Sequence, residues 1–346
     1  MKKIVIKIGT NVITKDNGLL DLNVMENLVE QVAELNTKGV KVIMVSSGAM
    51  GAGRSLIKVE GKSDVVRRQV LCSVGQIKLL ETYLNLFRKK NLICSQVLVT
   101  KEDFRDRTHY LNMKNCIEGL LENGVIPIIN ENDVISVSEL MFTDNDELAG
   151  LMAALISADA LVILSSVAGI LDDKGNVVHE VDEKTSPEKF ITGSKSAFGR
   201  GGMLTKVKMA GKIAKNGIET YIANGREKNV VTGIFNGEKI GTHFRPKSKT
   251  TNMKRWISTN EGQEKGWVKI DGGAENALKN KIASLLPVGV KEISDEFKKG
   301  DLVKIINLKN EVIGCGIANY SHKTAKNYLG KNGKKALIHY DYLYLQ

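Results

Sequence analysis

The chain has 346 residues, 42% of them apolar and 26% charged, enough for two hydrophobic cores and unlike a disordered or low-complexity polymer. Its formal net charge of +11 favours anionic partners, namely nucleotides, acidic metabolites or nucleic acid, without choosing among them. Four cysteines with no CxxC pair, an N-terminus that enters a strand-like run directly, and a longest apolar stretch interrupted by Asp159 argue against a disulfide scaffold, a zinc ribbon, a secretory leader and a membrane span. They predict a soluble cytoplasmic protein with reduced core thiols and no membrane partner.

From residue 1 to about 240 strand-like and helix-like segments alternate. "IVIKIG" is strand-like, "LNVMENLVEQVAELNTKG" has apolar residues at helical spacing, and "VKVIMVSSG" is the next strand. A long helical region around residues 65–90 follows, then "SQVLVT", the helix "YLNMKNCIEGLLENG", the strand "VIPIIN", the helix "DELAGLMAALISA" and the strand "ALVILSS". "MLTKVKMAGKIAKNG" and "IETYIAN" give one more helix and strand. Continuous apolar strands between helices predict an α/β fold with a mainly parallel sheet sandwiched by helices. After about Gly241 the basic, aperiodic "HFRPKSKTTNMKRW" reads as a linker. Beyond it the strand-like pieces "GWVKIDGG", "DLVKIINLKN", "EVIGCGIANY" and "ALIHYDY", with one helical piece "AENALKNK", predict a small β-rich domain, a partly closed barrel.

Four stretches offer chemistry. In "KIGTN", Lys7 to Asn11, glycine after a buried strand lets the backbone approach a ligand at the carboxyl end of a parallel sheet; the plainer alternative is a solvated lysine before a turn. In "VSSGAMGAGR", Ser47 and Gly48 place a hydroxyl and backbone amides at a helix start, where anions bind, or simply pack a strand–helix corner. "FGRGGMLTK" sets Gly201 and Gly202 before a helix that carries Lys206, a phosphate loop without Walker spacing or else a glycine hinge. Finally "IPIINENDVISVSELMFTDNDELAG" holds two Asn/Asp clusters. They lack calcium-loop spacing but mix carboxylates for an ammonium group with amides for a carboxylate, which suits a zwitterionic amino acid; turn capping is the alternative, above all for Asn132 and Asp144. The five histidines form no hydrolase or metalloprotease pattern.

In order along the whole chain, "VIKIGTNV", "VSSGAMGAG", "VGQ" at 74–76, "DFRDRTHYLN" at 103–112, "IPIINENDVI", "DNDELA", "GRGGMLTK" and "SLLPVGV" at 284–290 resemble the glutamate 5-kinase branch of the amino acid kinase family. The C-terminal part is similar to a PUA domain. The resemblance implies a kinase domain at 1–246, a linker at 247–261 and a PUA domain at 262–346. It implies transfer of the ATP γ-phosphoryl group to the side-chain carboxylate of L-glutamate, with Mg²⁺ bridging ATP oxygens and no dedicated protein ligand for the metal. Lys7 and Lys206 would then stabilise the transferring group, with Asp146 orienting both ammonium groups, and Ser47, Asn130, Asp133 and Asn145 would hold glutamate. ATP would lie over Ser165 and Ser166 and the segment running from Arg200 through Gly201, Gly202, Met203, Leu204 and Thr205 to Lys206, with Gly9 and Gly48 near its phosphates. A homo-oligomer and feedback inhibition by proline are implied as well.

The chain departs from the family pattern at several positions. Met141 stands where a lysine is usual and Thr143 where a glycine is, while Ser166, Leu171 and Arg200 replace Asp, Tyr and Thr around the nucleotide. The missing lysine predicts weakened feedback regulation or substrate affinity, which Met141→Lys would restore. A rival reading is an RNA-binding protein acting through the PUA domain. Residues 260–346 hold 14 lysines, no arginine and 10 acidic residues, which is no concentrated basic footprint and offers no bidentate arginine. A third reading keeps the kinase fold with another acceptor, such as an acetylated amino acid, aspartate or a nucleoside monophosphate. The pairing of "INEND" with "DND" counts against it.

Overall fold

The apolar runs become the strands of one central sheet in the computed structural model. It describes the chain except for residues 62, 137–141, 143, 182–201, 247–256, 258–263, 281–282 and 346, and the side chains of 202 and 204. The chain divides into two units, Met1–Lys249 and Thr250–Gln346. The predicted linker falls outside the described residues except at Ile257.

In the first unit the strands are β1 (Lys3–Ile8), β2 (Lys41–Ser46), β3 (Cys94–Val99), β4 (Ile126–Glu131), β5 (Ala160–Ser165), β6 (Glu180–Val181), β7 (Glu219–Asn224) and β8 (Thr242–Phe244). They form an eight-stranded sheet in the order β3-β4-β2-β1-β5-β7-β8-β6. Every adjacent pair is parallel except β7 with β8. The helices between them are α1 (Thr10–Ile13), α2 (Leu22–Thr37), α3 (Ala49–Arg54), α4 (Asp64–Arg88), α5 (Lys101–Arg105), α6 (Arg107–Glu122), α7 (Asn145–Leu155), α8 (Gly202–Lys215) and α9 (Val230–Phe235). The helical spacing of α2 matches its packing, for Met25, Leu28, Val29, Val32 and Leu35 are all buried against the sheet core. "KIGTN", expected as a loop, instead turns after Gly9 into the single turn α1, whose Val12 and Ile13 are buried.

Two features of this topology position a site. The chain runs from β1 outward through β2 to the β3 edge, returns to β4, then crosses to β5 on the other side of β1. The reversal opens a crevice at the carboxyl ends of the strands, where open α/β sheets bind ligands. In addition α3 and α4 lie in backbone contact. A Cβ on Gly75, the glycine of "VGQ", would fall 1.8 Å from the Ala49 carbonyl oxygen, so this glycine serves helix packing.

The second unit has its own sheet of β9 (Gly266–Ile270), β10 (Val290–Ile293), β11 (Leu302–Ile306), β12 (Val312–Ile317) and β13 (Leu343–Leu345), in the order β10-β9-β11-β12-β13. It packs Val268, Ile270, Phe297, Val303, Ile305 and Ile338 into a separate core. Besides the expected helix α10 (Gly272–Asn280) it contains α11 (His322–Tyr328), which the sequence reading passed over, as it did β10. "ALIHYDY" is not the final strand. Ile338 makes a single bridge to Leu285, and the strand proper begins at Leu343. Of the cysteines, Cys72, Cys94 and Cys315 are buried as expected, whereas Cys116 is exposed on α6. Among the described residues no helix is long and apolar enough to cross a membrane.

Candidate active site

Strand register brings the site together. Ile8 pairs with both Ser46 and Leu164, so Gly9, Ser47 and Ser165 come level at one end of the sheet. Asn130 lies near the corresponding end of β4, in the next strand but one. Gly48 follows Ser47 with φ of +107°, a left-handed turn that glycine alone adopts easily. A side chain there would also meet Ile13 Cδ1 at 2.9 Å. Helix α7 starts facing this end of the sheet. Asp144 caps it, accepting hydrogen bonds from the backbone N–H groups of Asp146 and Glu147, so the capping alternative holds for this residue. Thr205 Oγ1 in the first turns of α8 donates to the other Asp144 oxygen at 3.0 Å, which ties the starts of α7 and α8 together.

One pole of the site is a buried charge triad. Asp146, fully buried, binds Lys7 Nζ through Oδ1 at 2.6 Å and Lys206 Nζ through Oδ2 at 2.7 Å. One lysine comes from the central strand and the other from α8, so a single carboxylate fixes two ammonium groups from separate elements. Burial pulls the Lys7 ammonium below its ordinary 10.5, with the Asp146 charge opposing and Lys206 adding to the effect. Burial alone would raise the Asp146 carboxyl, yet the Lys7 and Lys206 charges outweigh it and hold the group below 3.8. Two cations on one anion leave one positive charge in excess.

Beside the triad lies a cavity of about 230 Å³, lined by Thr10, Ser47, Gly48, Ala49, Met50, Arg68, Cys72, Asn130, Glu131, Asp133, Phe142, Asp144 and Asn145. Asn145 Nδ2 donates to Ser47 Oγ at 2.7 Å and to Asn130 Oδ1 at 3.1 Å, and Asn130 Nδ2 donates to Gln76 Oε1 at 2.8 Å. This polar chain runs from α7 through β4 to α4. At the other pole Arg68 donates through Nε and Nη2 to Asp133 Oδ1, at 2.9 and 2.6 Å, and through Nη2 to Glu131 Oε2 at 3.0 Å. Two carboxylates on one guanidinium leave one negative charge in excess. Burial, with Asp133 next to it, pushes the Cys72 thiol up to about 12, so this cavity cysteine stays protonated and is no nucleophile at neutral pH.

Of the residues singled out from the sequence, Lys7, Asp146 and Lys206 meet in the triad, and Ser47, Asn130, Asp133 and Asn145 all line the cavity. Asn130 bonds Asn145 directly, so it belongs within the polar chain rather than beside it. Gly9 follows Lys7 closely, and a Cβ on it would lie 3.7 Å from Lys7 Nζ. Ser165 and Ser166 stand at the end of β5, and Met203 and Thr205 in the first turn of α8, which starts at Gly202 and also carries Leu204. Arg200, Gly201, Met141, Thr143 and most of the "VISVSEL" segment lie outside the described residues. Sequence reasoning missed Arg68, Glu131 and a role for Gln76. Gln76 had left a signal in the "VGQ" motif and Glu131 in "INEND".

Residues 2–224 match the amino acid kinase family and residues 266–339 match the PUA domain. The chain is 46% identical to the glutamate 5-kinase of Bacteroides thetaiotaomicron, across 99% of this chain and 98% of that protein. It is 45% identical to the glutamate 5-kinase of Chlorobaculum tepidum, across 99% and 97%. Among solved structures, isopentenyl phosphate kinase superposes with a TM-score of 0.50 at 17% identity, covering 70% of this chain and 99% of that one, a likeness of fold.

Proposed function

The chain belongs to the amino acid kinase family, within its glutamate 5-kinase branch, and carries a C-terminal PUA domain. On that premise we propose that it transfers the γ-phosphoryl group of ATP to the side-chain carboxylate of L-glutamate, giving L-glutamyl 5-phosphate, the first step of proline biosynthesis. The observation that carries this assignment is the bipolar site: a Lys7–Asp146–Lys206 pole with one excess positive charge beside a cavity whose far end has one excess negative charge. A molecule with an ammonium group at one end and a reacting carboxylate at the other matches both.

The reaction joins two anions. A γ-carboxylate oxygen of glutamate forms a bond to the γ-phosphorus as the bond from that phosphorus to the β,γ-bridging oxygen breaks and ADP leaves. Such a transfer depends on alignment and on neutralising charge over the phosphoryl oxygens. Lys7 and Lys206 supply that charge from opposite sides, and Asp146 keeps both fixed before the substrates arrive, so little reorganisation remains during the step. Asn145, Ser47 and Asn130 hold the α-carboxylate end by amide and hydroxyl groups, and Asp133 meets the ammonium group. ATP lies over Ser165, Ser166 and the start of α8, with its phosphates toward Gly9 and Gly48. Mg²⁺ would come on the nucleotide's phosphate oxygens and supply further charge neutralisation. Both oxygens of Asp146 are already engaged by lysines, so Asp146 is given no metal-holding role.

Proline has the same ammonium and α-carboxylate, so we place it in this cavity as a competitor of glutamate. We place self-association on the first unit, where Ile77 on α4 and Ile93 beside the β3 edge are exposed. The test of function is direct. Purified protein given ATP, Mg²⁺, glutamate and hydroxylamine forms glutamyl hydroxamate. No product, together with tight binding of structured RNA at moderate salt, would overturn the assignment.

A further inference from the structure

Two carboxylates converge at the acidic pole, and they are not equivalent. Glu131, 6% exposed, has both oxygens engaged: Oε1 accepts from Ser136 Oγ at 2.6 Å and from the Phe142 backbone N–H at 3.0 Å, and Oε2 accepts from Arg68. It holds Ser136 and Phe142 and already accepts three hydrogen bonds, one of them from a guanidinium. Asp133 differs. Both Arg68 nitrogens land on Oδ1, and its other neighbour is the Cys72 thiol, a weak donor. Asp133, with Oδ2 touched by neither Arg68 nitrogen, is therefore the carboxylate with more acceptor capacity toward the cavity.

We infer that Arg68 is a specificity-determining positioning residue, whose guanidinium holds Asp133 in place as the single fixed counter-charge for the acceptor's ammonium group. The inference rests on glutamate being the acceptor. Arg68 is the one cation among the described residues lining the cavity, so without it Glu131 and Asp133 would have no cation between them, Cys72 being neutral. Glu131 and Asp133 both bind one Arg68 nitrogen, so without it two like charges would face each other and push the Asp133 carboxylate out of place. Arg68 suits the task better than a lysine would, because its two nitrogens grip one oxygen of Asp133 and still reach Glu131.

The test compares wild type, Arg68→Gln and Arg68→Lys in full steady-state kinetics, with thermal unfolding as a check on folding. Arg68→Gln is expected to raise the KM for glutamate about tenfold, the loss of roughly one charged hydrogen bond, with kcat and the KM for ATP changing less than about threefold. Arg68→Lys keeps the charge but not the fork and should recover part of the loss; if the glutamine variant does not fold, a rise of about two- to fivefold in the lysine variant supports the same conclusion. An unchanged glutamate KM overturns the inference, and so does a parallel loss in kcat, ATP KM and glutamate KM, the mark of a merely structural residue. Wild type that makes no glutamyl hydroxamate overturns the acceptor assignment and this inference together, whereas an active wild type with an unaffected Arg68→Gln variant overturns this inference alone.

Discussion

The site contains two ion clusters built on opposite plans. At Lys7–Asp146–Lys206 one carboxylate holds two cations, and at Glu131–Arg68–Asp133 one guanidinium holds two carboxylates. The first is buried to the point that Asp146 has no exposed surface, while Arg68 keeps 31% of its side chain accessible. On the proposed function, the difference separates two tasks. A pole that stabilises a transferring phosphoryl group gains from low dielectric and fixed charge, because electrostatic stabilisation is strongest where water is excluded. A pole that admits and releases an amino acid needs a charge that solvent can still reach. Between them the Ser47–Asn145–Asn130–Gln76 chain is uncharged and offers direction rather than charge.

This contrast can be broken at the triad first. Asp146→Asn leaves a buried Lys7 and a half-buried Lys206 without their anion and should cost about 3–5 kcal/mol of stability at neutral pH, read by urea unfolding. The folded carboxyl is held below 3.8, so its stabilising contribution is present above that pH and lost as pH falls through the lowered value. The gap between wild type and Asp146→Asn should be constant above pH 3.8 and close below it. A gap that persists in acid would mean that shape rather than charge made the difference.

Lys7→Ala follows in size, with kcat expected to fall roughly 10²–10³-fold, the usual cost of removing one donor to a developing charge. Burial lowers the Lys7 ammonium below 10.5, so the alkaline fall in kcat should begin at a lower pH than for an ordinary lysine, as the group loses its proton. An alkaline limb at or above 10.5 would count against a catalytic Lys7. At the neutral chain, Asn145→Ala should raise the glutamate KM about tenfold through the loss of two hydrogen bonds, with a smaller change in kcat. Gln76→Ala, one step further from the ligand, should shift the same KM only about two- to fourfold, since it removes a bond that orients Asn130. If Gln76→Ala acts more strongly than Asn145→Ala, the polar chain runs in the wrong order.

The sequence revealed the first unit's fold well, because continuous apolar runs between amphipathic helices have few other uses. Its small elements were harder. The one-turn helix at Thr10–Ile13 and the short strands Glu180–Val181 and Thr242–Phe244 are too brief for periodicity to register. In the second unit Val290–Ile293 and His322–Tyr328 were lost for the same reason. The triad was legible through resemblance to a family, for a lone lysine after a strand says little by itself. Arg68 was not legible at all. Its partners lie 63 and 65 residues away, and one chain with no contacts to compare gives no sign that an arginine on a helix meets two carboxylates beyond a distant strand. Asp144 reads both ways in the sequence, and the structure settles on its capping role because its oxygens are taken by α7 amides and Thr205.

The division of labour between the two poles is tested most directly by measuring kcat and the glutamate KM for Lys206→Met and Asp133→Asn side by side. The account predicts that Lys206→Met lowers kcat about 10²-fold or more with the glutamate KM changed less than about threefold, whereas Asp133→Asn raises that KM about tenfold or more with the smaller effect on kcat. If both variants move the same parameter by the same factor, the site has no separate poles, and the account is wrong.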